Sequence, residues 1–110
     1  MSRQLLTDFE LMILLAMLRG GEEAYGVQIA KEIEVTAGRR VLLGAVYAAL
    51  DRLERTGLVT SAIGASTPAR GGRAKRYFRV TGRGVQAVKA TQQALVALWR
   101  GLPQLKETLP

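Results

Sequence analysis

Cysteine and histidine are both missing from the 110 residues. Their absence removes thiol nucleophiles, imidazole bases, disulfides and the usual zinc ligand sets together. A cysteine-free chain also fits the cytosol. Aromatic residues are few, with one Trp, three Tyr and two Phe, and they form no cluster of the kind that stacks single-stranded bases. The apolar run LMILLAML at 11–18 is too short to span a bilayer. Asp8 and Glu10 stand just before it, where a secretory leader carries positive charge, and no clear small-residue cleavage site follows. No phosphate-binding loop or dinucleotide fingerprint occurs, since Gly71-Gly72-Arg73 is too short to count. Nor is there a close set of carboxylates within an apolar pocket pattern. Catalysis, a cofactor and a metal site are therefore not expected.

What remains is basic and moderately apolar. Apolar residues make up 48% of the chain, enough for one domain with one modest core. Sixteen Lys and Arg against nine Asp and Glu leave a net charge of +7. The excess is concentrated: Arg39 to Lys89 holds eleven basic and two acidic residues, whereas residues 1–38 hold three basic and six acidic ones. A basic middle between less basic ends reads as a surface for a polyanion, nucleic acid before an anionic membrane.

The first helix is expected from Thr7, where TDFE has the form of a capping box with Glu10, to Gly20-Gly21. Its interior from Leu11 to Leu18 is apolar on every side, so a chain this small covers one face and a partner covers the other. A second helix is expected over about Ala24 to Glu34, with Ile29, Ala30 and Ile33 inward. Gly26 in its first turn points to close packing. A connecting turn follows at 36–40. The third helix, GAVYAALDRLERTGLV at 44–59, places Val46, Leu50 and Leu53 on one face. Ala45, Ala48, Arg52 and Arg55 lie opposite, with Tyr47 at the flank. Small residues let a helix approach a grooved surface and arginines supply forked donors, although an ordinary amphipathic helix with an alanine face has the same pattern.

Residues 58–63 and 76–80 alternate as strands, with Phe78 and Val80 on one face and Tyr77 and Arg79 on the other. Between them, GASTPARGGRAK (64–75) has no large apolar residue and carries Arg70, Arg73 and Lys75, followed by Arg76. The pair of strands therefore forms a hairpin with a charged tip. Thr81 is expected to cap a last helix in which Val85, Val88, Gln92, Leu95, Trp99 and Leu102 form a heptad seam. At under three heptads this seam needs another surface, and the over-apolar first helix supplies it. Gln92 breaks the seam and is equally compatible with setting register or with facing water. Trp99 is read first as an interface packing residue, with stacking of a planar ligand as the alternative. Pro103 is expected to end the helix.

Three helices, a basic hairpin and a long last helix describe a mainly α (α+β) winged helix-turn-helix. Residues 1–81 would form the DNA-binding part, and 82–110 a dimerisation helix and tail within one continuous domain. AYGVQIAKEIE, GAVYAALDRLERTGLV and TPARGGRAKRYFRVTGRG together resemble the PadR family of transcriptional regulators over roughly residues 5–99. The resemblance implies a homodimeric, cytoplasmic repressor of double-stranded DNA with a single C-terminal dimerisation helix and no membrane association. Helix 44–56 would enter the major groove, and the hairpin tip at 65–75 would approach the backbone or minor groove. The DNA-facing set is then Tyr25, Arg39, Arg40, Gly44, Ala45, Tyr47, Ala48 and Arg52, with Arg70, Arg73, Lys75 and Arg76 from the wing. The dimer set is Leu11, Leu14, Leu15 and Leu18 with Val88, Gln92, Leu95, Trp99 and Leu102. One departure stands out: Val41-Leu42-Leu43 occupies the place where the family commonly has a small polar N-cap. A small-molecule effector is compatible with such a regulator, but no residue identifies one. A winged helix that binds protein rather than DNA is the competing reading, although its surface need not be basic.

Overall fold

The computed structural model describes residues 5–21, 23–64 and 75–105. Helix α1 runs over Asp8–Gly20. Its start is the expected capping box: the Thr7 hydroxyl accepts from the Glu10 amide at 3.1 Å, and Glu10 Oε1 accepts from the Thr7 amide at 2.9 Å. Both are free helix-terminal donors that would otherwise lack a partner. Helix α2, Gly26–Glu32, continues into a π-helical turn at Ile33–Ala37. Helical hydrogen bonding thus extends past the expected end at Glu34, until Gly38 at φ 71 caps the run with its amide on the Glu34 carbonyl. The reason is local: glycine adopts the left-handed cap conformation without a Cβ penalty, and Gly38 is the first glycine after Gly26.

Helix α3 spans Leu43–Arg55. Strands β1 (Val59–Ile63) and β2 (Arg76–Val80) pair antiparallel, with Val59 opposite Val80, Ser61 opposite Phe78 and Ile63 opposite Arg76. A bridge of two backbone hydrogen bonds joins Phe78 to Ala24, just before α2, at 3.1 and 2.7 Å. The chain then turns at Thr81 into α4, Gly82–Trp99. Thr81 serves both sides of that turn, accepting from the Gly84 amide at 3.0 Å and donating to the Gly57 carbonyl at 2.7 Å.

One core holds these elements together. It is built from Ile13, Leu14 and Met17 of α1, Ile29 and Ile33 around α2, Val46, Ala49, Leu50 and Leu53 of α3, and Val59 and Phe78 of the wing. Ala49, between the outer-face residues Ala48 and Arg52 in sequence, is fully buried within it. The α4 helix leans on this core through Val88. It is also tied to the N-terminal segment where the buried Thr91 hydroxyl accepts from the Leu6 amide at 3.1 Å.

Two residues of the expected dimer set lie elsewhere in the fold than their periodicity implied. Leu14 has no exposed surface, so it serves the protomer core and not an interface; neighbouring Leu15 and Leu18 are the outward residues, at 43% and 45% exposure. Leu102 does not continue the α4 seam, because the helix ends at Trp99 and Gly101 at φ 81 turns the chain ahead of the short Pro103–Leu105 turn. Along the remaining seam, Val88 packs inward while Gln92, Leu95 and Trp99 are exposed.

Candidate nucleic-acid interface

The outer face of α3 follows from its helical period. Gly44, Ala45, Ala48, Arg52 and Arg55 are all exposed, while Val46, Ala49, Leu50 and Leu53 are buried on the other side. Among the described residues, the Arg40, Arg52 and Arg55 side chains have no hydrogen-bond or ion-pair partner. Their guanidinium groups are available to an external anion.

Other members of the sequence-derived set are held within the fold. Arg39 pairs with Asp8 at 3.3 Å, and its guanidinium lies 5.3 Å from the Phe9 ring centre. Arg76 binds Glu54 at 2.7 Å and Asp51 at 3.4 Å and lies 4.9 Å from the Phe78 ring centre. Glu54 also accepts from the Ser61 hydroxyl at 2.7 Å. One carboxylate on α3 is thereby gripped by β1 and β2, which sets the wing against the helix. The sequence reading missed these partners, although acidic Asp51 and Glu54 inside a basic stretch were the available signal.

The hydrogen bond from Ser61, followed by the charge and hydrogen bond of Arg76, holds the Glu54 carboxyl below its ordinary value of 4.5, with burial opposing. A carboxyl with a lowered folded value binds protons less readily folded than unfolded. Its stabilisation is therefore complete above about pH 4.5 and is lost as pH falls through the depressed folded value. Because about a third of the Glu54 side-chain surface is exposed, solvent screens the pair and the effect is modest. Thermal melts across pH 2–5 are expected to show a shallower acid decline for Glu54→Gln than for the unmodified chain, as roughly one titrating group is removed.

Tyr47 and Tyr25 carry the geometry between α2, α3 and the wing. The half-buried Tyr47 ring lies 6.3 Å from that of Phe78, and it fills the space above Gly26, where an added Cβ would come within 2.5 Å of the Tyr47 ring. Glycine at this position is thus explained by close packing. Gly26→Ala is expected to cost about 1–3 kcal/mol through overpacking, read as a lower denaturation midpoint at unchanged m-value. Tyr47→Ala in the same chain should relieve that part of the loss. Tyr25 packs edge-on to Tyr77 at 5.6 Å, with the Lys75 ammonium 3.9 Å from its ring centre. Arg70 and Arg73 lie outside the described residues.

No described group of three or more His, Cys, Asp or Glu could hold a metal ion. Among the described residues no helix is long and apolar enough to cross a membrane.

A helix with a small-residue, arginine-bearing outer face, braced by a two-stranded wing, defines a winged helix-turn-helix of the DNA-binding class. The sequence profile of the transcriptional regulator PadR-like family matches residues 14–90, and the chain belongs to that family. It is a DNA-binding transcriptional regulator. No curated protein matches it. Among solved structures it is similar to a PadR-like transcription factor from Bacteroides fragilis, at 26% identity over 82% of each chain with a TM-score of 0.70. It also shares the fold of a PadR family regulator from Eggerthella lenta, at 24% identity over 89% of this chain and 83% of that one, TM-score 0.68. A third is the PadR family regulator of Clostridium difficile R20291, at 21% identity over 91% and 99%, TM-score 0.72.

Proposed function

We propose that this chain acts in the cytoplasm as a homodimeric repressor that occupies specific double-stranded DNA, with α3 in the major groove and the wing beside it. The observation that carries the reading is the outer face of α3: Arg52 and Arg55 have no described partner and stand beside Gly44, Ala45 and Ala48. Small residues permit close approach, and unpaired guanidinium groups suit phosphates and guanine edges. On this reading residues 1–81 read DNA and 82–110 supply the dimerisation helix and tail of one continuous domain. The dimer is supported by exposed Leu15 and Leu18 on α1 and Leu95 and Trp99 on α4, since α1 and α4 pack on each other. Half-buried Leu11 shares the helical stripe of Leu15 and Leu18, and exposed Gln92 that of Leu95 and Trp99. Absence of cysteine supports the compartment.

Duplex binding measured over a salt series tests this. With three to four phosphate contacts per subunit, the dimer's log–log slope is expected to be about −5 to −7. Arg52→Ala should weaken the preferred site by about 1–3 kcal/mol and affect random duplex less. Arg70→Ala with Arg73→Ala should weaken all duplexes alike and make the slope shallower. Affinity that stays flat from low to physiological salt would show that the basic stretch is not a DNA surface.

A further inference from the structure

Three consecutive residues at the start of α3 fit the isolated protomer poorly. Leu42 is the N-cap residue, in extended geometry at φ −80 and ψ 137, and no side-chain hydrogen bond caps the helix. It is also 79% exposed, the highest exposure among the large hydrophobic residues described. Leu43, the first helical residue, is 41% exposed. Gly44 follows, at a helical position where glycine is disfavoured. Yet an added Cβ there would meet nothing within 4 Å, so internal packing does not require it. By contrast, Val41 immediately before them packs against the core.

A single exposed leucine is ordinary. Two leucines in place of a capping residue, followed by a glycine with no internal packing role, require a surface outside the protomer. The surroundings identify that surface. Arg40, which has no described partner, closely precedes the leucines, and the likewise unpaired Arg52 and Arg55 lie on the exposed face of the same helix. An apolar protein partner would meet a strongly cationic border here, whereas a duplex matches it. Within the major groove the thymine C5 methyl is the apolar feature of the base edges.

We propose that Leu42 and Leu43 are specificity-determining residues that contact thymine methyl groups, with Gly44 allowing the helix backbone close to the base edges. This inference rests on the DNA-binding reading above. It adds the chemistry being read: a preference for thymine at the bases facing the α3 N-terminus, by apolar contact and not by hydrogen bonding.

The experiment uses the full chain. A preferred site is first selected from random duplexes, and each thymine in it is then replaced by deoxyuridine, which removes the methyl and keeps the hydrogen-bonding groups. Replacement at the contacted positions is expected to weaken binding about three- to five-fold per methyl, the effect of one buried methylene-sized group. In Leu42→Ala and Leu43→Ala the same replacements should cost little. Leu42→Ser supplies a capping hydroxyl and removes an exposed apolar group, so it should melt at an equal or higher temperature while losing the thymine preference. That combination separates base reading from a structural role. If the unmodified chain binds thymine and deoxyuridine sites equally, or the penalty is the same in the leucine variants, while salt-dependent duplex binding persists, the inference is overturned and the DNA-binding reading stands. Absence of binding to every duplex overturns both.

Discussion

Phe78→Ala is expected to destabilise the folded chain by about 3–5 kcal/mol. Phe78 is 1% exposed and stands where three parts of the fold meet. Its backbone bridges to Ala24 ahead of α2, its ring faces Tyr47 of α3 at 6.3 Å, and its own strand pairs with β1 opposite Ser61. Truncation leaves a cavity whose lining comes from separate elements, which cannot all close on it at once. Domains of this size are stable by only about 5–15 kcal/mol, so the loss is a large fraction of the total. Denaturant unfolding at fixed protein concentration checks it, because dimerisation would add a concentration-dependent term. A midpoint shift worth under about 1 kcal/mol at unchanged m-value would mean that the site collapses freely and that Phe78 does not anchor the wing.

Leu95→Glu is expected to separate the proposed dimer without unfolding the protomer. Leu95 is 47% exposed on α4, so the protomer core does not depend on it. In a two-fold assembly the same substitution places a carboxylate in the shared apolar surface twice, and an unpaired buried charge costs several kcal/mol. Light scattering at micromolar concentration should then fall from the dimer mass to the monomer mass, with helical circular dichroism retained. The DNA salt slope should drop to about half, because each released monomer carries half the phosphate contacts. A folded wild-type monomer at the same concentration would overturn the dimer.

Local signals in the chain proved sufficient for most of the architecture. The Thr7–Glu10 capping box, the Gly20-Gly21 stop and the Thr81 cap each depend on atoms within a few residues, and all three form as expected. The faces of α3 and β2 were also legible, because helix and strand periods determine which side chains share a side. Gly26 announced a close approach, and Tyr47 makes it.

Periodicity does not reveal what a face meets. In α1, apolar on every side, nothing local distinguishes Leu14 from Leu15; the packing of α2 and α3 buries the first and leaves the second half open. Charge counts likewise marked a basic middle but not which cations are already paired. Arg39 reaches Asp8 across 31 positions, and Arg76 reaches Glu54 across 22. The Thr91–Leu6 hydrogen bond spans 85. Capping, turning and amphipathic spacing are short-range properties that the order of residues carries directly. Burial of one leucine over its neighbour, pairing of one arginine and not another, and hence which guanidinium groups remain unpaired, arise when distant segments compete for the same small core and the same few carboxylates.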